Sequence, residues 1–432
     1  MKSRFVIFIP SDTREATAVS LSKVAGVPLF LRSVMALAQA GGRSFTIIAP
    51  LSQRRHVLKS WQRIVKDREI RLNLILTKNG NRISAEDMNE LKGYVADSFY
   101  FLNANYVLPK VASYASEILR EGIKIGPAEL RTFKPITKRG AVVGMRAAML
   151  DRLALELKNF PLPLESALAS LATKTNLNFL SRGDEGVIVQ KFSDVEMAEY
   201  MLAEDIRLST QTFVAREINK RISLPISLFL ARLRVTPNTI TIVNIMIGLC
   251  AGIGAAGFTY KGVLIGAILF ELASIIDGCD GEVAKLTFRT SKFGQYIDSI
   301  SDNLSLSAFI TGMMIHEYRV TKSYHAFIWG GMLLIGAGLI LVIMADYLKK
   351  KTNSASFVTY DKEFLQKLDR GNTPRFILWL IKYLKIFFKK DFFSTMFLVT
   401  AIFGILHWWF YIIAVGVWGG VAVLLYLRAR NY

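Results

Sequence analysis

The segment Asp277–Asp302, DGCDGEVAKLTFRTSKFGQYIDSISD, places four aspartates inside two otherwise apolar stretches of the chain. On helices, Asp277 and Asp280 are three residues apart and Asp298 and Asp302 are four apart, so each pair projects from one helix face. Two adjacent antiparallel helices could bring both pairs to one point. Four carboxylates at membrane depth repel each other and lose hydration unless divalent cations neutralise them. The all-oxygen ligand set predicts Mg²⁺ or Mn²⁺.

Small residues accompany the acids in this segment. Gly278, Gly281, Ala284 and Gly294 remove side-chain bulk, which would let a flat base and its diphosphate approach the helix backbone closely. Capping or surface aspartates around a turn would explain one acid alone. They would not explain four acids with four small residues inside two apolar stretches. The segment therefore predicts a metal-dependent site for a nucleotide diphosphate.

Around this segment, apolar residues concentrate after residue 237 and predict an all-α, multi-pass membrane domain. A bilayer core needs about 20 apolar residues per helix. Six stretches approach this length: Thr239–Phe258, Val263–Leu286, Phe293–Ile315, His325–Tyr347, Phe392–His407 and Trp409–Leu427. Segment 349–390 is rich in Lys and Arg, so we expect it to face the cytoplasm with the N-terminal domain and the active site. The predicted location is the cell inner membrane.

The net charge of the 432 residues is +20. This charge could indicate a nucleic-acid partner, but the basic residues flank apolar spans, which favours contact with anionic membrane lipid. We therefore expect no nucleic-acid partner. The two cysteines, Cys250 and Cys279, lie in apolar or motif-bearing segments, and this favours a reduced protein that faces the cytoplasm.

Residues 1–205 have the pattern of an α/β, Rossmann-like domain. Short β-rich runs at Phe5–Ile9, Ser44–Ile48 and Leu72–Leu76 alternate with helical stretches. Residues 206–236 interleave cations with apolar residues, which is typical of a helix at a membrane surface, although an ordinary amphipathic linker helix has the same pattern. The predicted domains are thus 1–205, 206–236 and 237–432.

The Asp277–Asp302 segment resembles the signature of the CDP-alcohol phosphotransferase family, D-x2-D-G-x2-A-R-x8-G-x3-D-x3-D. Every fixed position and spacing matches, except that Lys285 stands where arginine is usual. Thr236-Pro237-Asn238 and Thr241 also resemble the start of the family's first helix. The resemblance implies metal-dependent transfer of a phospho-alcohol group from a CDP-alcohol to an acceptor alcohol, either inositol phosphate or a lipid, with release of CMP. We also expect a homodimer.

Carried over position by position, the resemblance assigns roles to the segment. It implies that Asp277, Asp280 and Asp298 bind the metal ions, and that Asp302 shares metal binding and is the catalytic base. The residues implied in CDP binding are Asp280, Gly281, Ala284, Lys285 and Gly294. Since lysine keeps the charge but lacks arginine's planar fork, donor affinity or donor identity is where this chain should differ.

The N-terminal domain resembles sugar-phosphate nucleotidyltransferases at Lys23–Leu29 but departs from them in three places. Ser11–Ser20 contains no glycine, where those enzymes wrap a triphosphate in backbone N–H groups. Asparagine stands near Leu102–Asn105 where a metal-binding aspartate is expected, and Ile188 and Gln190 replace a later Asp-x-Asp pair. We expect an inactive domain that acts as a scaffold, holds nucleotide or guides a donor. The whole chain resembles fusions of an inositol-1-phosphate cytidylyltransferase to a di-myo-inositol-phosphate phosphate synthase.

Two other functions fit part of the pattern. The same chemistry with a CDP-diacylglycerol donor would make a phospholipid head group. Intramembrane aspartates also occur in ion-coupled transporters. A transporter, however, would not need a nucleotide slot at Gly281 and Ala284, nor acids packed at one end of two helices.

Overall fold

The computed structural model describes residues 2–10, 14–39, 41–65, 69–77, 82–107, 131–132, 142–159, 163–174, 178–179, 187–210, 215–351 and 390–429. The chain forms two compact units, Met1–Asp205 and Ile206–Tyr432. The first unit combines helices with a sheet, and the second is helical. The predicted change from an α/β to an all-α fold along the chain is therefore confirmed. The basic segment predicted at 349–390 lies mostly outside the described residues.

A mixed seven-stranded sheet forms the centre of the N-terminal unit. In spatial order its strands are β10 (Asn178–Phe179), β8 (Arg131–Thr132), β9 (Val142–Arg146), β6 (Val95–Asn103), β1 (Ser3–Phe8), β4 (Ser44–Pro50) and β5 (Arg71–Thr77). Strands β6, β1, β4 and β5 run parallel, whereas β9 is antiparallel to β6. The parallel order β5-β4-β1-β6 is that of a Rossmann-like half-sheet. The three strands predicted from sequence lie within two residues of β1, β4 and β5.

The helices of this unit flank the sheet strands along the chain. They are α1 (Arg14–Leu21), α2 (Leu29–Gln39), α3 (Arg54–Val65), α4 (Ala85–Leu91), α5 (Leu150–Asn159), α6 (Leu164–Lys174) and α7 (Asp194–Leu208). Helix α4 begins where Ser84 and Asp87 bond each other's backbone N–H groups in a capping box. The strands contribute the buried rings Phe8, Phe99 and Phe101 to the core. These rings are part of a Rossmann-like core within the N-terminal unit.

The described part of the unit also contains two short antiparallel strand pairs: β2 (Lys23–Val24) with β3 (Val27–Pro28), which form a hairpin, and β7 (Tyr106–Val107) with β11 (Val187–Ile188). The first turns at Ala25 and Gly26, both at positive φ. Glu199 accepts a hydrogen bond from the Ala25 N–H at 2.7 Å, and Arg32 Nε donates to the Val24 carbonyl at 2.8 Å. Burial lowers the pKa of Arg32 to about 9, and the charge of Glu199 opposes this shift. Buried side chains thus hold the turn.

The C-terminal unit is built from helices. After a π-helical turn at Ala215–Asn219 follow α8 (Lys220–Arg232), α9 (Pro237–Ala255), α10 (Tyr260–Leu286), α11 (Lys292–Thr321), α12 (His325–Lys351), α13 (Lys390–Ile402) and α14 (Leu406–Ala429). Helix α9 begins at a Thr236 cap followed by Pro237, a favoured first residue. The Ser291 hydroxyl caps α11 by accepting from the Gly294 N–H at 2.9 Å. The turn that follows Leu286 thus leads from α10 to the capped start of α11.

By length and composition, α9 and α10 could each cross a membrane. Helices α11 to α14 overlap the other four predicted spans, but the described residues contain no further helix that is both long and apolar enough. Six spans therefore remain a prediction. The end of the fifth span was wrong: it was predicted at His407, but α13 ends at Ile402. Gly404, at φ +75°, turns the chain there, and His407 belongs to α14.

Glycines bring α9 and α11 into close contact. A Cβ on Gly248 would lie 2.1 Å from the Ser305 hydroxyl oxygen, and a Cβ on Gly252 would lie 2.6 Å from the Ala308 carbonyl oxygen. Helix α9 also packs along α10, and α10 contacts α8 and α13. Small residues at such crossings let backbones approach, as in membrane helix pairs. The packing places α9, α10 and α11 side by side where the aspartates lie.

Candidate active site

The aspartates lie on both sides of the turn between α10 and α11. Asp277 and Asp280 occupy the last three turns of α10, and Asp298 and Asp302 follow soon after the start of α11. Phe288, at φ +58°, ends α10, and the Arg289 N–H returns to the Ala284 carbonyl at 2.8 Å. The two helices therefore present their acids on neighbouring faces, as the spacing predicted.

Three of the four aspartates form a cluster. Asp277, Asp298 and Asp302 each offer a carboxylate oxygen, and these oxygens all lie within 4.8 Å of one another. All three side chains are partly exposed. Mg²⁺ binds oxygen ligands at about 2.1 Å, so opposite ligands stand about 4.2 Å apart. The three carboxylates thus fit a hard divalent cation after small side-chain movements.

Asp280 is not part of this three-carboxylate cluster. Its side chain is only 6% exposed, and its Oδ2 accepts a hydrogen bond from the Thr241 hydroxyl of α9 at 2.5 Å. It lines the same cavity as Asp298 and Asp302. The structure therefore places Asp280 in the cavity wall beside the cluster, where α9 orients it.

Sequence reasoning missed Asn244, which supports the cluster from α9. Its side chain is fully buried, and Nδ2 donates to Asp277 Oδ1 at 2.8 Å and to the Ser301 hydroxyl at 3.4 Å. Its Oδ1 has no hydrogen-bond partner within the described part of the chain. The available signal was an amide within an apolar span, one helical turn after Thr241, since such a residue is costly without a role.

A cavity of about 380 Å³ opens beside the aspartates, and all five residues predicted to bind CDP line it: Asp280, Gly281, Ala284, Lys285 and Gly294. A Cβ on Gly281 would meet no atom within 4 Å, so this position is open. Other lining residues, which sequence reasoning did not assign, come from α9, from the turn between α10 and α11, and from the start of α11: Pro237, Asn238, Arg289, Thr290, Ser291 and Gln295. The cavity is large enough to be a ligand site.

Gly278 does not share this cavity, contrary to the expectation that four small residues serve one surface. A Cβ on Gly278 would lie 3.2 Å from Lys220 Nζ and 3.7 Å from the Ser223 hydroxyl oxygen, both on α8. Gly278 therefore admits α8 rather than a nucleotide. Positions 278 and 281 are three residues apart and lie on the same broad face of α10. Helix α8 covers this face at Gly278, whereas Gly281 remains open to the cavity.

In the N-terminal unit, the positions of the expected metal ligands are hydrogen-bonded within the protein. Asn105 Oδ1 accepts from the Ser20 hydroxyl at 2.5 Å, and Asn103 Oδ1 accepts from the Asn105 N–H at 2.8 Å. The Val189 N–H donates to the Asn105 carbonyl, which places residues 188–190 beside residues 103–105. The two segments in which metal-binding aspartates were expected, residues 103–105 and 188–190, thus lie side by side, and neither segment contains a carboxylate.

Comparison with known proteins assigns the C-terminal unit to an enzyme class. Residues 234–418 match the family model described as CDP-alcohol phosphatidyltransferase. The chain therefore carries a domain of this family, and the predicted CDP-alcohol phosphotransferase is confirmed at the level of enzyme class.

Curated relatives share this domain. The bifunctional IPC transferase and DIPP synthase of Aquifex aeolicus is 24% identical over 322 residues, which cover 70% of this chain and 73% of the relative. The protein of the same description from Thermococcus kodakarensis is 36% identical over 118 residues, covering 27% of this chain and 26% of the relative. Archaetidylinositol phosphate synthase of Pyrococcus horikoshii is 33% identical over 86 residues, covering 20% and 44%. The predicted resemblance to fusion enzymes is confirmed.

Two solved structures are similar over about half of the chain. The inositol-1-phosphate CTP transferase from T. maritima has a TM-score of 0.33 and 10% identity, covering 49% of this chain and 99% of that chain. HddC from Yersinia pseudotuberculosis has a TM-score of 0.34 and 10% identity, covering 45% and 97%.

Proposed function

We propose that the C-terminal unit transfers a phospho-alcohol group from a CDP-alcohol to an acceptor alcohol and releases CMP. The observation that carries this proposal is the convergence of Asp277, Asp298 and Asp302 beside the cavity lined by the predicted CDP-binding residues. Both features lie within the residues that match the CDP-alcohol phosphatidyltransferase family. A cluster of acids alone would bind a metal ion without selecting a nucleotide. The adjoining cavity provides the space in which a nucleotide could bind.

The donor would bind in the cavity next to the cluster. Gly281 and Ala284 leave room for the cytidine, and the Lys285 ammonium provides positive charge for the diphosphate. Asp277, Asp298 and Asp302 would hold Mg²⁺ or Mn²⁺, with Asp280 adding a carboxylate from the cavity wall. When bound, such a cation neutralises pyrophosphate charge and stabilises the leaving CMP.

Asp302 is proposed as the general base because it stands at the motif position to which the family resemblance gives this role, and its place in both the cluster and the cavity wall supports the assignment. The acceptor oxygen forms a bond to the transferred phosphorus while the bond from that phosphorus to CMP breaks, and the acceptor proton passes to the Asp302 carboxylate. Asp298 shares both positions and is proposed as a metal ligand. Its place one helical turn before Asp302 keeps it nearer the start of α11.

The alcohols are proposed from the names of the relatives. The archaetidylinositol phosphate synthase of Pyrococcus horikoshii supports inositol phosphate as the acceptor and a lipid as the donated group. The bifunctional DIPP synthases support a smaller CDP-alcohol donor. A CDP-diacylglycerol donor would use the same site and chemistry.

The membrane arrangement is also a proposal. Helices α9 and α10 would cross the inner membrane with the four other predicted spans. The site and the N-terminal unit would face the cytoplasm. The protein would be a homodimer. Helix α8 supports this arrangement, since Ile222, Ile226 and Phe229 are exposed on one side and Arg221 is exposed beside them. Such a face suits a membrane surface.

The N-terminal unit is proposed to lack cytidylyltransferase activity, because hydrogen-bonded asparagines stand where metal-binding carboxylates are expected. The full-length protein, given CTP, Mg²⁺ and inositol phosphate, should release no pyrophosphate. Pyrophosphate release above the protein-free background would contradict this proposal.

Release of CMP tests the main proposal. The detergent-solubilised protein is incubated with radiolabelled CDP-alcohols, including CDP-inositol and CDP-diacylglycerol, and with acceptors such as inositol phosphate. We expect Mg²⁺- or Mn²⁺-dependent CMP release with at least one pair. Absence of release with every pair would contradict phosphotransfer and favour ion transport.

A further inference from the structure

A buried polar cluster joins α8 to the back of the aspartate-bearing helix. We call it the Glu282 clamp, defined as Glu282 of α10 with Lys220, Ser223 and Ser227 of α8. Glu282 Oε1 accepts from Lys220 Nζ at 2.5 Å and from the Ser223 hydroxyl at 2.6 Å. Oε2 accepts from the Ser227 hydroxyl at 2.6 Å. The Glu282 side chain is 1% exposed and that of Lys220 is 16% exposed.

The Glu282 clamp contacts one side of a turn of α10, and the opposite side of the same turn lines the cavity. Gly281, which precedes Glu282, and Ala284, which follows two residues later, both line the cavity. The Ser227 hydroxyl also lies 3.5 Å from the Cys279 carbonyl oxygen, and the Cys279 thiol lies 3.6 Å from the Ser223 carbonyl oxygen. Contacts from α8 therefore act on residues 279–282 from behind the donor cavity.

Directional bonds give this contact a property that apolar packing would lack. The three donors lie on one face of α8, at intervals of three and four residues, and converge on both oxygens of one carboxylate. Apolar residues of similar size would pack as stably, since burying two charges costs much of what their attraction gains. The hydrogen bonds fix the rotation and height of α10 against α8. The missing Cβ of Gly278 permits this approach.

We propose that Glu282 is a positioning residue, which acts through α10 to hold Gly281, Ala284 and Lys285 in the geometry that binds the nucleotide. This inference rests on the proposed function, because it concerns the affinity of the same cavity for CDP. It differs from a purely structural role in one measurable respect. Loss of the clamp weakens nucleotide binding more than it weakens the fold.

The test measures CDP affinity and melting temperature in the full-length protein in detergent, with Mg²⁺ present. Glu282→Gln replaces one accepting oxygen by an NH2 group, which donates and cannot accept from Lys220 or the serines. A misplacement of about 1 Å in an active site can lower the reaction rate by about 100-fold. We expect an effect of similar size on binding, so the dissociation constant for CDP should rise between about 10-fold and 100-fold. The double variant Lys220→Gln/Glu282→Gln removes the uncompensated ammonium and should recover part of the loss.

Thr400→Val is the matched control, because among the residues that the structure describes this buried hydroxyl bonds only carbonyls of its own helix, those of Met396 and Phe397. It should leave CDP affinity unchanged. Ser227→Ala removes one donor and keeps the ion pair, and it should weaken CDP binding several-fold even if Glu282→Gln fails to fold. Unchanged CDP affinity in Ser227→Ala and in any folded Glu282→Gln would overturn this inference alone. Failure of the unmodified protein to bind CDP would overturn the proposed function as well.

Discussion

Asn244 offers the sharpest test of how the metal site is held, because it touches Asp277 from a neighbouring helix. Its buried Nδ2 donates to Asp277 Oδ1 at 2.8 Å. Asn244→Ala removes this donor, and a hydrogen bond to a charged group contributes about 1.5–3 kcal/mol. Residues that orient metal ligands typically contribute about 10-fold to 100-fold in metal affinity, which is of the same size. We therefore expect the Mg²⁺ concentration for half-maximal CMP release to rise by about 10-fold to 100-fold.

The assay is a Mg²⁺ titration of CMP release at saturating donor and acceptor. Because Asp277 itself remains, most of the maximal rate should return at high Mg²⁺. Thr241→Val gives a contrast, since Thr241 donates to Asp280 in the cavity wall, and this variant should weaken donor binding more than metal binding. Met246→Ala, on the exposed side of the same helix, should change neither constant. An unchanged Mg²⁺ requirement in Asn244→Ala, with a lower maximal rate, would refute the reasoning.

Two further predictions concern the base and the helix packing. Asp302→Asn should lower the rate of CMP release by about 10²-fold to 10⁴-fold, the usual effect of losing a general base, while CDP affinity falls only mildly. Asp280→Asn, in contrast, should lose CDP affinity sharply. Equal losses of CDP affinity in both variants would make Asp302 a structural metal ligand. Gly248→Ala should lower the melting temperature, because its Cβ would lie 2.1 Å from the Ser305 hydroxyl oxygen and such overpacking costs about 1–3 kcal/mol. Gly331→Ala meets no atom within 4 Å and should have little effect, so similar losses in both glycine variants would contradict the packing argument.

The helix periods of the sequence predicted that acids of α10 and α11 meet, but they did not predict that Asp280 lies outside the three-carboxylate cluster. Intervals of three and four residues place Asp277, Asp298 and Asp302 on facing sides once the helices pack, and the structure brings their carboxylates together. The same intervals predicted a common surface for Gly278 and Gly281, which was wrong. Spacing along one helix defines a broad face, but the neighbouring helix decides which residues of that face it covers. The contact of α8 with Gly278 could not be predicted from α10 alone.

Residues that support others were the hardest to predict. Asn244 and Glu282 act through hydrogen bonds to partners more than 30 residues away, and no local pattern pairs them. The break at Gly404 was missed for a different reason: hydropathy is continuous from α13 into α14, whereas the positive φ that ends α13 is a backbone property. In the N-terminal unit, the β-branched and aromatic runs predicted the parallel strands, because buried strands need few other residue types.

The central claim is that the carboxylates of Asp277, Asp298 and Asp302 bind the metal required for phosphotransfer. The most direct measurement is CMP release at saturating Mg²⁺ by Asp298→Asn, compared with the unmodified protein and with Asp97→Asn, an exposed aspartate of the N-terminal unit. Asp298→Asn should release no CMP while keeping its melting temperature, because the substitution relieves charge repulsion within the cluster, and Asp97→Asn should be fully active. Turnover by Asp298→Asn at the rate of the unmodified protein would contradict the metal site.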